Sequence, residues 1–172
     1  DKFAAEFSRE WFAEQLKGVD TGVVSHEEIL EIIFNPNLYA SRLNQTAGVD
    51  MIAASAGNYY EGLTQAEVEK FYNKMIDPKD PRPISYGLNS KLVKKNGKIY
   101  EQTYKIGGMY SEALEQVVYW LEKAEAVAEE PLKTTIGLLI KYYKSGDLKD
   151  FDAFNISWVQ DTQSNIDFVN GF

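Results

Sequence analysis

The side chains of this sequence that could do chemistry are few. His26 is the only histidine among 172 residues, and there is no cysteine. Thiolate nucleophiles, disulfides and cysteine-based zinc sites are therefore excluded. His26-Glu27 matches the first half of the H-E-x-x-H zinc motif, but Leu30 and Glu31 occupy the positions where a second histidine could fall. A lone histidine in the first turn of a capped helix reads as a surface residue. No Asp/Asn/Gly loop with calcium spacing and no G-x-S-x-G are present. Glu129-Glu130 and Asp147, Asp150 and Asp152 read as solvated or helix-capping charges. Gly107-Gly108 precedes a helix start, a place where anions bind, but a tight strand-to-helix turn explains the pair as well. The most ligand-like group is Asn58, Tyr59 and Tyr60, at the end of a candidate strand, where aromatics beside an amide line peptide grooves. The competing reading packs the two rings between sheet and helix with their hydroxyls at the surface. Phe172 is a further candidate for substrate contact. No catalytic or metal-binding residue emerges.

Composition sets the frame for these residues. With 44% hydrophobic and 13% aromatic residues, the chain has enough apolar surface for a core of ordinary domain size. A formal net charge of −8 argues against a nucleic-acid partner, because phosphate binding needs clustered Lys and Arg. No apolar run approaches a membrane span, and no basic-then-apolar leader is visible. A soluble protein is expected, cytoplasmic or periplasmic.

Helices dominate the pattern. Ser8 caps a helix over roughly 9–17, with Gly18 past its end. Ser25 and Glu28 form a capping box before Ile29, Ile32 and Ile33, and Pro36 is placed to start a short helix through Arg42. Thr64 and Glu67 form a second box, followed by Val68, Phe71, Tyr72 and Met75 at helical spacing. Asp77 to Pro83 is a breaker loop. Ser111 is expected to cap a helix to about Glu129, Pro131 to open another ended by Gly146, and Asp147 to cap a third. Short connections make these three antiparallel neighbours.

Strands fill the gap between the helical groups. Ile84, Tyr86, Leu88 and Leu92 alternate with polar residues, and Tyr100, Gln102, Tyr104 and Ile106 share a face beyond Asn96-Gly97. A three-residue loop, pairing Lys94 with Lys98 and holding Gly97 left-handed, would set Leu92 against Tyr100 and Leu88 against Tyr104. A two-residue loop would instead set Leu92 against Glu101. Facial sorting selects the three-residue form. Met51 to Asn58 and Ile166 to Phe172 are the other candidate strands. The expected fold is α+β: an antiparallel, barrel-like sheet with about six helices in a single domain over 1–172.

Beyond these local features, several stretches resemble the dipeptidyl-peptidase III family of zinc metallopeptidases, and look closest to bacterial members. They are Asn58-Tyr59-Tyr60-Glu61-Gly62, Pro83 to Val93, Gly107-Gly108-Met109-Tyr110, Val118-Tyr119-Trp120-Leu121, and the tail from Gly146 to Phe172. None is a catalytic motif; the specificity lies in their length and order. The resemblance implies a two-lobed hydrolase, an aminopeptidase-like exopeptidase that removes dipeptides from the amino end of oligopeptides. In such an enzyme one lobe holds zinc through H-E-x-x-G-H, and substrate peptide lies in the cleft between lobes. Zinc would polarise the scissile carbonyl while the motif glutamate activates water. This chain looks like an internal fragment of the other lobe, a wall of the cleft without zinc, inactive alone and ending just before a substrate-binding Glu and Tyr. A strand cut at Phe172 is expected to self-associate through its open edge. The alternative is a stand-alone α+β module that binds peptide or glycan.

Overall fold

The computed structural model describes residues 4–171. Among them are six helices and three short strands, so the chain is α+β. They fall into two compact units, one up to Val68 and the other from Glu69 onward.

In the first unit, α1 (Arg9–Gln15) starts where the Ser8 hydroxyl accepts the Trp11 amide, as its sequence signal implies. The Ser25 hydroxyl accepts the Glu28 amide at the head of α2 (His26–Phe34). Arg9 bridges Glu27 and Glu31 on α2 at 2.6 and 3.2 Å, and Phe7 and Phe12 pack on Phe34. The helix expected to run from Pro36 to Arg42 is not formed. Residues 36–39 make turns instead, with the Asn35 carboxamide accepting the Asn37 amide and Tyr39 at φ 51°. Met51 to Asn58 is not a strand either. The Asp50 carboxylate accepts the Ile52 and Ala53 amides and winds the segment into a turn, so the strand β1 is only Tyr60–Glu61. The other Asp50 oxygen accepts the Gln65 amide at the start of α3 (Gln65–Tyr72). There the capping box is complete: Thr64 accepts from Glu67 N, and Glu67 accepts from Thr64 N.

The second unit is built on a hairpin, β2 (Ser90–Lys95) with β3 (Lys98–Thr103), and three helices. The register differs from the expected one. Lys95 pairs with Lys98 and Leu92 with Glu101, across a two-residue turn. Asn96 at φ 52° and Gly97 at φ 75° both take the left-handed conformation of a type I′ turn, whose twist suits the flanking strands. Facial sorting lost because β2 is covered on both faces: Leu92 and Val93, adjacent and so pointing opposite ways, are 0% and 3% exposed. Gly97 is left-handed as expected. Upstream, residues 86–89 form a turn with Tyr86 and Leu88 exposed, so the strand begins at Ser90 rather than Ile84. A parallel bridge between Tyr104 and Met109 follows the hairpin. Strands this few and short do not make the antiparallel, barrel-like sheet that was expected.

Three helices complete the unit: α4 (Ser111–Val127), α5 (Leu132–Ser145) and α6 (Leu148–Gln160). The cap of α4 is displaced by one residue from its expected place. Tyr110, at φ 61°, is the N-cap, and the Ser111 hydroxyl accepts from Gly107 and donates to Glu115. Asp147 caps α6 by accepting the Lys149 amide, and Gly146 ends α5 at φ 69°. Two faces of α5 are buried. Ile136 and Ile140 meet Val118 of α4, while Leu139 and Tyr142 meet Phe154 of α6. Between the last two helices Thr135 and Ser157 share a hydrogen bond of 2.7 Å. The tail is not a strand. Phe168 packs onto both clusters, and the Tyr143 hydroxyl donates to Asn170, while Ile166 and Val169 face solvent. The strand edge on which self-association was expected is therefore missing over 166–171, and Phe172 lies outside the described residues.

Two substitutions test this packing. Phe154→Ala should lower unfolding free energy by about 3–5 kcal/mol through the cavity it leaves. Gly97→Val should cost ~1–2 kcal/mol by placing a β-branched residue in the left-handed region. Urea titration measures both, and Gly97→Val leaving the midpoint unchanged would contradict the turn assignment.

Candidate functional site

Asn58, Tyr59 and Tyr60 lie together at the surface, with the two tyrosine side chains 49% and 37% exposed and Tyr60 opening β1. Their exposure leaves both tyrosine rings available to a ligand. Phe172, the fourth candidate, lies outside the described residues. His26 sits in the first turn of α2 with its Nε2 2.8 Å from the Val19 carbonyl oxygen. No group of three or more His, Asp or Glu placed to hold a metal occurs among the described residues.

The Gly107-Gly108 pair is consumed by the protein itself. Gly107 N–H donates to the Ser111 hydroxyl and Gly108 N–H to the Lys105 carbonyl, so these amides are engaged rather than open to an anion. A Cβ at Gly108 would collide with the Thr103 carbonyl oxygen, so the close backbone approach requires glycine. The turn reading of this pair is the correct one.

An open cleft of about 590 Å³ that the sequence reading missed lies in the second unit. One wall is Asp80, Arg82, Pro83 and Ile84 from the breaker loop. The other is Lys149, Asp152, Ala153 and Ile156 of α6, with Asn155 beside them. The spacing i, i+3, i+4, i+7 puts those four residues on one stripe, while Phe151, Phe154 and Trp158 form the stripe facing the core. Loop geometry comes from two carboxylates: Asp77 accepts the Lys79 amide and Asp80 the Arg82 amide. The walls thus offer two cations, two carboxylates and apolar side chains from Pro83, Ile84, Ala153 and Ile156. This suits a polar chain with charges of both signs, but holds no nucleophile paired with a base. The second stripe on α6 was the signal that could have revealed it.

Next to the cleft a smaller depression of about 210 Å³ is lined by Met75, Ile84, Asn89, Glu101, Thr103 and Leu148 among others. Here Glu101 accepts from the Ser90 hydroxyl at 2.6 Å and the Tyr72 hydroxyl at 3.1 Å. Asn89, nearly fully buried, donates to the Gly146 carbonyl at 3.0 Å. Burial pushes the adjacent Tyr142 phenol up to about 12, so it stays neutral. The Asn89 contact fastens the start of the hairpin to the end of α5, and the Glu101 contacts link the two strands to each other and to Tyr72 of α3.

Residues 88–172 match the family model described as peptidase family M49. The resemblance to the dipeptidyl-peptidase III family read from the sequence therefore holds over this stretch, which includes Leu88 to Val93, the Gly107-Gly108 turn and the tail. Asn58 to Gly62 lies outside it. Among solved structures, dipeptidyl-peptidase III from Corallococcus sp. strain EGB is 20% identical, with a TM-score of 0.44. That likeness covers 88% of this chain but only 28% of the other. No curated protein matches the chain. No helix among the described residues is long and apolar enough to cross a membrane.

The ion pair that joins α5 to α6 gives the unit a pH dependence. The Asp150 carboxyl is held below its usual value of 3.8, first by the hydrogen bond from Lys141 and then by that from Ser145. A folded value below the unfolded one stabilises the protein above the ordinary carboxylate range, and the gain is lost as pH falls through the folded value. The urea midpoint of the native sequence should therefore drop more between neutral and acid pH than that of Asp150→Asn. Equal drops would show that the pair contributes nothing.

Proposed function

We propose that this chain is part of a zinc-dependent exopeptidase that releases dipeptides from the amino end of oligopeptides. The observation that carries the proposal is the match of residues 88–172 to peptidase family M49. The chain spans 28% of the length of the dipeptidyl-peptidase III structure it resembles, so the parent enzyme's remaining parts would carry the zinc and its water. In that reading the chain forms a single domain of the lobe without zinc, a wall of the substrate cleft. In the same reading Asn58, Tyr59 and Tyr60 face the peptide. Zinc in the parent would supply the Lewis acid; the residues here would position and shield the substrate.

A second reading, a stand-alone peptide-binding module, is favoured by one observation: the mixed-charge cleft between the breaker loop and α6. The two readings separate experimentally. On the peptidase reading, the purified chain takes up no stoichiometric zinc and hydrolyses no dipeptidyl arylamide. In the longer protein Tyr60→Ala should raise KM several-fold with a smaller effect on kcat. Dipeptide release that co-purifies with the isolated chain would overturn the assignment of chemistry to other parts of the enzyme. Micromolar binding of short peptides by the isolated chain, lost on Arg82→Ala, would favour the module.

A further inference from the structure

The sequence contains two Asn-Gly dipeptides, Asn96-Gly97 and Asn170-Gly171. This pair is chemically labile wherever the glycine amide nitrogen can reach the asparagine side-chain carbon, because glycine offers no Cβ to obstruct the approach. The structure holds the two pairs in opposite circumstances. Asn96 and Gly97 form an exposed hairpin turn, with nothing within 4 Å of the place where a Gly97 Cβ would stand. Lys94, Lys95 and Lys98 flank it, and their positive charge favours loss of a proton from the Gly97 amide. Asn170, by contrast, is anchored. Its side-chain oxygen accepts the Tyr143 hydroxyl at 2.6 Å, and its side-chain nitrogen is buried.

We propose that Asn96 is a site of spontaneous covalent modification, converting to aspartate and isoaspartate, and that Asn170 is protected by its Tyr143 hydrogen bond. In the reaction the deprotonated Gly97 nitrogen attacks Asn96 Cγ and forms a new C–N bond. The Cγ–Nδ2 bond breaks, and the nitrogen leaves as ammonia after taking up a proton. Water then opens the resulting five-membered ring at either carbonyl, giving aspartate or isoaspartate, with no change of oxidation state. The isoaspartate product adds one carbon to the main chain and a carboxylate among the lysines. A two-residue turn cannot absorb that carbon, so the Lys95–Lys98 pairing must yield. The change thus acts on the hairpin that seats Leu92 and Val93 in the core.

The test is incubation of the intact chain at mildly alkaline pH. Peptide mapping by mass spectrometry and labelling with an isoaspartyl methyltransferase follow conversion at each site. In the native protein, conversion at Asn96 should exceed that at Asn170 by at least about tenfold, ~1.4 kcal/mol in barrier. In denaturant the two sites should react at similar rates. Tyr143→Phe should raise the native rate at Asn170 and leave Asn96 as it was. Equal native rates at the two sites, or an Asn96 as inert as Asn170, would overturn the proposal. So would a Tyr143→Phe variant, folded by circular dichroism, in which Asn170 stays protected.

Discussion

The second unit depends on α5 being buried on two faces at once. Ile136 and Ile140 are covered through Val118 of α4, and Leu139 and Tyr142 through Phe154 of α6. Each such side chain removed from water contributes ~1.5–3 kcal/mol. The polar contacts follow from this placement. Asn89 donates to the Gly146 carbonyl, Ile106 to the Tyr143 carbonyl and Lys105 to the Ser145 carbonyl, so the hairpin is tied to the C-terminal end of the same helix. Phe168 then closes over both clusters from the tail.

A helix buried this way leaves its neighbours free on their outer sides. The outer stripe of α6, with Lys149, Asp152, Ala153 and Ile156, makes a wall of the open cleft because Phe151, Phe154 and Trp158 hold the helix from within. The breaker loop opposite is shaped by its own carboxylates rather than by a core. Rigid support on one side and a locally folded loop on the other are what a groove for an extended ligand requires.

The helices were legible in the sequence because their signals are local. Ser8, Ser25, Thr64, Asp147 and Gly146 each act within a few residues of their own position, and the structure uses every one. Errors arose where a side chain outcompeted a backbone pattern. Alternation over Ile166 to Phe172 suggested a strand. The segment is instead anchored by Trp158 donating to Asp167 and Tyr143 donating to Asn170. Asp50 likewise turned Met51 to Ala54 away from extended structure. In the hairpin, the type I′ preference of Asn-Gly decided the register, and burial of both faces of β2 removed the facial argument that pointed the other way. The candidate site was less legible. The tyrosines at 59 and 60 stand out by residue type, whereas the cleft is made by a second helical stripe and a loop that are neighbours only in space.

Native-state amide hydrogen exchange tests the central claim most directly, because it reports the opening free energy of each helix separately. If α5 is the element on which the second unit depends, its amides from Ile136 to Tyr142 should exchange only by global unfolding and be the slowest in the chain. Those of α4, α6 and β2 should follow at equal or lower protection. Amides of α5 that exchange faster than those of α4 or α6 would contradict the account.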